Sequence, residues 1–296
     1  MSHAIRFTKM VGTGNDFLIV DAVHDRPRVS NAQWPVLARA MCDRRYGVGA
    51  DGVLLLEPSH VADAKMRVLN PDGSEADMCG NGARCVARFI AGRDKPHVSL
   101  ETAAGLIHSD VVDDRIRLAL SPPTGFRAGL RVVVGGRTFR LSFINTGVPH
   151  AVAAVDDLET LDVERVGRAI RTHRLFAPQG TNVNFMAASA KTPTRIQVRT
   201  YERGVEGETL ACGTGVTAAA IVHVLTRCAS TRQLAGPHQQ IDVMPKSGER
   251  LHVSFAIRHD GAAPRVEQVV LEGPVRRICE GVFHWSNGHQ PGRGRS

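Results

Sequence analysis

The sequence predicts an α+β fold made of two similar halves, each a strongly curved sheet of many strands wrapped around one central helix. Three observations predict it. A cysteine followed by Gly-x-Gly and an apolar, helix-forming run occurs at Cys79-Gly80-Asn81-Gly82 and again at Cys212-Gly213-Thr214-Gly215, a little under half the chain apart. Short alternating segments bounded by turn residues fill both halves. These segments do not alternate one for one with helices, which argues against β-α-β units. A duplicated half-molecule that brings two thiols to one site accounts for all three.

In chain order, Ile5–Met10 and Phe17–Asp21 read as strands joined by the tight turn Val11-Gly12-Thr13-Gly14-Asn15-Asp16. Ser30 can cap a helix over 31–43, where Trp34, Leu37, Ala38 and Met41 recur at helical spacing. Gly47-Val48-Gly49-Ala50-Asp51-Gly52 matches the dinucleotide-binding pattern letter for letter. That fingerprint needs a strand before it and a helix after it. Here the order is reversed, so the stretch reads as a turn leading into the strand Val53–Glu57. Lys65–Asn70 is a strand ending in the turn Asn70-Pro71-Asp72-Gly73-Ser74. The first Cys-Gly-x-Gly helix follows, then strands at 97–102, 106–112 and 115–120. Ser121-Pro122-Pro123-Thr124-Gly125 is the best linker in the chain.

The second half repeats the scheme. Strands fit 131–134, 138–144 and 151–155, a helix fits 162–173, and strands return at 182–186 and 196–201. The second Cys-Gly-x-Gly helix runs to about Arg227, and strands fit 240–244, 250–257 and 266–271. The expected domains are therefore 1–124, carrying Cys79, and 125–273, carrying Cys212. The segment 274–285 has no place in a two-copy count and is read as returning to complete the first domain. Residues 286–296 are polar and rich in glycine, arginine and proline, and read as a disordered tail.

Composition narrows the function. At 296 residues, 43% hydrophobic and 22% charged, the chain has the make-up of a globular protein with room for two domains. No apolar run approaches the roughly 20 residues that span a membrane. The start lacks the apolar core of a signal peptide, so the cytoplasm, where thiols stay reduced, is the expected compartment. The six cysteines, at 42, 79, 85, 212, 228 and 279, show no Cys-x-x-Cys spacing, and no metal site is expected. The net charge is +8, and 32 of the 37 basic residues are arginine, spread along the chain in pairs at most. With aromatics at only 5%, this is surface charge rather than a nucleic-acid interface.

Two thiols suit the inversion of a stereocentre beside a carboxylate. One group removes the α-proton from one face, and a second delivers a proton to the other. A cysteine pKa of about 8.5 is readily brought near 7 by its surroundings. Helix N-termini bind a carboxylate through backbone N–H groups and stabilise the charge that builds on it. A single Cys-Gly-x-Gly would read as a buried, inert thiol at a helix start; two copies at matching places favour chemistry. Cys42, Cys85, Cys228 and Cys279 read as core packing. Near the second cysteine, Tyr201-Glu202-Arg203-Gly204 offers Arg203 as a fork for a carboxylate and Glu202 as a partner for an ammonium or a neighbour that raises a thiol's pKa. The bland reading of that pair is a surface ion pair, worth little. His150 suits tuning a thiol or bonding a turn. Asn182 and Asn184, two apart in a strand, point the same way, toward a site or toward solvent.

Together these residues resemble the diaminopimelate epimerase family over nearly the whole chain. The matching blocks are Gly12-Thr13-Gly14-Asn15-Asp16-Phe17, Asn70-Pro71-Asp72-Gly73-Ser74 through Met78-Cys79-Gly80-Asn81-Gly82, Pro149-His150, Thr181-Asn182-Val183, and Tyr201-Glu202-Arg203-Gly204 through Ala211-Cys212-Gly213-Thr214-Gly215. The resemblance implies two pseudo-symmetric domains, each a β-barrel-like mixed sheet around a central helix. It implies a cofactor-independent isomerase that interconverts LL- and meso-2,6-diaminopimelate, on the way to lysine and peptidoglycan precursors, and a homodimer. By motif, Cys79 and Cys212 are the acid/base pair. Asn15, Asn70, Asn182, Glu202 and Arg203 correspond to substrate contacts, and the backbones of Gly80-Asn81 and Gly213-Thr214 to the cradle of the reacting carboxylate. His150 and Glu202 match positions that modulate the thiol pKa values. Two positions depart from the pattern: Val148 stands where many members have asparagine, and Gly52 where some have glutamine. Asn145 is a candidate to replace the missing amide.

Proline and hydroxyproline racemases resemble a Met-Cys-Gly-His-Gly pattern, whereas Asn81 stands in the histidine's place here, and Arg203 suits a second substrate carboxylate. A non-catalytic binding protein would need neither thiol. A pyridoxal-phosphate racemase would need a cofactor lysine, and none of the five lysines lies in a recognisable motif.

Overall fold

The structure, a computed structural model, describes residues 2–92, 95–188, 191–227, 237–258 and 264–286. In chain order its elements are β1 (Ser2–Gly12), β2 (Asn15–Asp21), α1 (Trp34–Cys42), β3 (Gly52–Glu57), β4 (Ala64–Leu69), β5 (Glu75–Ala76), α2 (Gly80–Ala91), β6 (His97–Thr102), β7 (Gly105–Val112) and β8 (Arg115–Leu120). There follow β9 (Thr124–Val134), β10 (Arg137–Asn145), β11 (Pro149–Ala154), α3 (Val163–Arg171), β12 (Asn182–Ala188), β13 (Arg195–Glu202), β14 (Gly207–Thr209), α4 (Gly213–Arg227), β15 (His238–Pro245), β16 (Leu251–Arg258), β17 (Arg265–Pro274) and β18 (Arg276–Ser286). The chain forms two compact units, one from the residues up to Leu118 together with those from Pro274 on, the other from Ala119–Gly273.

Taken separately, the two units share one topology. In the first, neighbouring strands run β18, β1, β2, β3, β4, β6, β7, β8, with β5 also on β4. In the second they run β9, β10, β11, β12, β13, β15, β16, β17, with β14 also on β13. The third and fourth strands of each series pair in parallel, as β2–β3 and β11–β12, and so do the fifth and sixth, as β4–β6 and β13–β15. All the other pairs named are antiparallel. The α+β class and the two-fold repetition read from the sequence are both present.

Each unit encloses one helix. The strands β1, β2, β4, β6 and β7 pack on α2, and β10 to β13, β15 and β16 pack on α4. A helix surrounded by sheet has no face for water, so it must be apolar nearly all round. Accordingly Val216, Ala218, Ala219, Ala220, Ile221, Val222 and Val224 of α4 are all buried. The other helix of each unit covers the outer face of the same sheet: α1 packs on β3 and β4, and α3 on β12 and β13. Strands between two helices are buried on both faces and read as continuous apolar runs. In β3, Val53 and Leu55 join the core of α1, while Leu54 faces Gly82 of α2.

Some expectations changed on folding. The stretch Thr124-Gly125, read as linker, begins β9, and that strand is 11 residues long rather than 131–134 alone. Gly125 and Gly129 take φ of 66° and 76°, and the register against β10 shifts at two places. Such bulges hide a strand from a period-two reading. Cys42 and Cys85 are buried as expected, but Cys279 is exposed on β18, so its assignment to the core is corrected. The cause is that β18 lies on the outside of β1, and residues 276–280 are all exposed. Cys228 and the tail 287–296 lie outside the described residues. Among the described residues no helix is long and apolar enough to cross a membrane.

The outer helix of the second unit sits close enough to its sheet to require a glycine. A Cβ on Gly167 of α3 would lie 2.5 Å from the Cβ of the fully buried Tyr201. Alanine favours a helix over glycine by up to about 1 kcal/mol, but overpacking costs about 1–3 kcal/mol. Gly167→Ala is therefore expected to lower the urea midpoint despite its better helix propensity, and a midpoint at or above wild type contradicts this packing.

Candidate active site

Side-chain alternation decides which polar groups meet the start of each enclosed helix. In β12, Val183 and Phe185 belong to the core of α3, while Met186 belongs to that of α4. Asn182 and Asn184 therefore face α4, and both are buried. The same parity puts His150 of β11 on the α4 side, because Ala151 and Ala153 join the α3 core and Val152 the α4 core. In β13, Tyr201 faces α3 and Val198 faces α4, so Thr200 joins the α4 side.

In the first unit, Cys79 caps α2 from an extended backbone (φ −138°, ψ 112°), and its sulfur accepts a hydrogen bond from the Gly82 N–H at 3.4 Å. The cap thus uses one of the N–H groups that a helix leaves without an internal partner. The Cα of Gly80 faces open space, since a Cβ there would meet nothing within 4 Å. Asn81, the next residue, donates from Nδ2 to Asn15 Oδ1 at 2.7 Å, and Asn15 Nδ2 donates to Asp51 Oδ2 at 2.9 Å. The fully buried Arg84 completes the set, its Nη2 donating to Asn81 Oδ1 (2.8 Å) and Thr13 Oγ1 (2.6 Å). Behind Asn15, Arg44 bridges Asp16 and Asp51, each at 2.7 Å. Burial pulls the Asp16 carboxyl up, but Arg44 and Lys9 outweigh it and hold it below the usual range. The Cys42 thiol is pushed up to about 12 by burial, with Asp16 and Asp51 adding to the shift, so it stays neutral.

In the second unit, Cys212 is buried and precedes α4, and its sulfur lies 3.5 Å from Thr214 Oγ1. That hydroxyl is 3.0 Å from His150 Nε2, and Thr146 Oγ1 donates to the Thr214 carbonyl at 2.9 Å. Burial, reinforced by the charge of Arg203, pushes His150 down to about 3, so its ring is neutral at working pH. Asn182 joins two segments: its Nδ2 donates to the Pro149 carbonyl (3.1 Å) and its Oδ1 accepts from the Arg203 N–H (2.8 Å). The Arg203 guanidinium donates to the Gln179 carbonyl at 3.2 Å. Burial pushes the Glu202 carboxyl up, and the Thr209 side chain beside it opposes that shift.

Within each unit most of the sequence-derived residues come together: Asn15, Gly80 and Asn81 around Cys79, and His150, Gly213 and Thr214 around Cys212, with Asn182 and Arg203 tied to each other. Asn70 is the exception, since its amide donates to Ser74 Oγ at 2.9 Å inside its own turn. Asn145, the candidate to replace the amide missing at Val148, turns its Oδ1 to the Gly147 N–H at 3.0 Å. Sequence reasoning missed Asp51, Thr13 and Arg84. The one signal for Arg84 was a charge inside an apolar helical run.

Burial of the His150 ring links stability to pH. The unfolded imidazole, at its ordinary 6.5, binds protons that the buried ring does not bind until about 3. Stability is therefore present in full above pH 6.5 and is lost as pH falls toward 3. In urea melts the wild type should lose more stability between pH 7 and pH 4 than His150→Gln does, and equal losses would contradict the buried neutral ring. Separately, a Cβ on Gly215 would lie 2.3 Å from Asn184 Oδ1 and 3.3 Å from Cys212 Sγ. Gly215→Ala should cost about 1–3 kcal/mol by overpacking, read as a lower denaturation midpoint.

Comparison with known proteins agrees with this duplicated arrangement. The family model described as diaminopimelate epimerase matches the chain at residues 7–123 and again at 142–262. A diaminopimelate epimerase of Hydrogenobaculum sp. is 40% identical over 289 residues, covering 94% of this chain and 98% of its own. One from Aquifex aeolicus is 39% identical over 287 residues, with 94% and 97% covered. Among solved structures, a PhzF-family phenazine biosynthesis protein of Bacillus anthracis superposes with a TM-score of 0.69 at 16% identity, covering 94% of this chain and 98% of that one. A hydroxyproline epimerase of Agrobacterium vitis gives 0.68 at 17%, with 96% and 94% covered. These two show the shared fold, and the family match and the sequence relatives carry the assignment: this chain belongs to the diaminopimelate epimerase family.

Proposed function

We propose that the protein is a cofactor-independent epimerase that interconverts LL- and meso-2,6-diaminopimelate with a thiolate and a thiol. One observation carries the reading: each unit holds a cysteine immediately before its enclosed helix, followed by Gly-x-Gly. Cys79 and Cys212 act on opposite faces of the α-carbon, one taking its proton as the other gives one back. Charge moves onto the α-carboxylate as the C–H bond breaks. The N–H groups at Gly80-Asn81 and Gly213-Thr214 receive it, since helix N-termini favour negative charge.

Asn15, Asn70 and Asn182 hold the substrate's polar groups, Arg203 takes the distal carboxylate, and Glu202 a substrate ammonium. His150 and Glu202 set the protonation of the thiols. A mechanism that runs on reduced sulfur suits the cytoplasm, and the working form is a homodimer.

The test is incubation of the purified protein with LL-diaminopimelate in deuterated water, without added cofactor, following meso product and α-deuterium. Wild type should give both. Cys79→Ala and Cys212→Ala should each lose about 10²–10⁴-fold or more in turnover, the usual worth of a placed acid or base, while circular dichroism shows the fold intact. Wild-type turnover in either variant ends the two-thiol scheme.

A further inference from the structure

The hydrogen bonds around His150 have a direction, and that direction reaches Cys212. Asn184 Nδ2 lies 3.3 Å from the Ala151 carbonyl, which can only accept, so the amide nitrogen must be the atom on that side. Thr200 Oγ1 holds the other end at 3.0 Å from Asn184 Oδ1. The same amide nitrogen is 3.1 Å from His150 Nδ1, so Nδ1 must accept and carries no hydrogen. A neutral imidazole then carries its hydrogen on Nε2, 3.0 Å from Thr214 Oγ1. The Thr214 oxygen accepts there, which leaves its own hydrogen for the Cys212 sulfur at 3.5 Å.

We propose that Asn184 is a positioning residue for Cys212: by locking His150 with Nε2 protonated, it makes the Thr214 hydroxyl a hydrogen-bond donor to the sulfur. The O–H stabilises the thiolate. When the sulfur is protonated, its S–H can donate to the second lone pair of the same oxygen. No proton travels along the series, and the imidazole stays neutral throughout, with Arg203 the charged group that acts on it. At the matching place beside Cys79 stands Asn81, whose amide donates to Asn15. Its catalytic meaning rests on the two-thiol reading above, but its physical content does not.

The test therefore measures the thiol rather than the reaction. Iodoacetamide alkylation of the Cys212 and Cys79 peptides is followed by mass spectrometry across pH, without substrate, in wild type, Thr214→Val, Thr214→Ser, Asn184→Ala and the isosteric Asn184→Asp. Thr214→Val and both Asn184 variants should raise the Cys212 midpoint, slowing its alkylation at pH 7 about three- to tenfold, the effect of about half to one pKa unit. Thr214→Ser should behave as wild type, and the Cys79 midpoint should not move. Asn184→Ala placed on Thr214→Val should add no further shift, as expected of residues acting in series. A wild-type Cys212 midpoint in Thr214→Val or in the folded Asn184 variants overturns the proposal, as does an equal shift of both cysteines. Failure of the epimerase reading would appear only in the turnover assay, and failure of this one only in the alkylation profile.

Discussion

Enclosing a helix inside a sheet is the constraint on which everything else here depends. Such a helix keeps few polar side chains along its length, and small apolar residues must fill most of it so that the surrounding strands can close on it. Its one unavoidable polarity is at its ends, where backbone groups have no partner within the helix. In α2 and α4 the N-terminal end is where a cysteine is placed, and in α2 the sulfur is itself the acceptor for the Gly82 N–H. The same geometry explains the glycines. Gly215 leaves room for the Asn184 amide, and Gly82 lies against Leu54 with no space for more.

A shared scaffold does not make the two ends alike. Beside Cys79 the polar groups form a network of amides anchored on charge, from Asp51 through Asn15 and Asn81 to the buried Arg84. Beside Cys212 the linked groups are neutral, a histidine held uncharged by burial, a hydroxyl and an amide, with the charge of Arg203 acting on the histidine from outside that series. The loop leading into each set follows the same contrast. Thr13-Gly14-Asn15 in the first unit corresponds to Thr146-Gly147-Val148 in the second, so the place an amide takes in one unit is taken by an aliphatic group in the other. Duplication supplied one backbone, and divergence gave each sulfur a different electrostatic setting.

How much of this was legible in the sequence follows the range of the interactions. The Cys-Gly-x-Gly helices were plain, because a cap, two glycines and an apolar run are local features. Most strands were plain too, because alternation survives wherever one face is buried. Strand β9 was not, since Gly125 and Gly129 break its period and its register slips against β10. Asn184 was visible as one of two amides of like parity. Whether it faced α4 or water depended on knowing that Val183 and Phe185 pack under α3. Asp51 and Arg84 were illegible for a stronger reason, since their partners Asn15 and Thr13 are brought to them only by tertiary folding.

Strand β18 carries a consequence for how the molecule comes into being. It lies on β1 along nearly its whole length, from Ser2 against Ser286 to Val11 against Arg276, yet the entire second unit is encoded between the two. During synthesis on the ribosome, β1 must therefore wait with one flank unsatisfied until residues 276–286 emerge, by which time the unit made between them has received all of its own strands. An unpaired flank of that kind invites the wrong neighbour. The unit encoded second is thus complete before the one encoded around it.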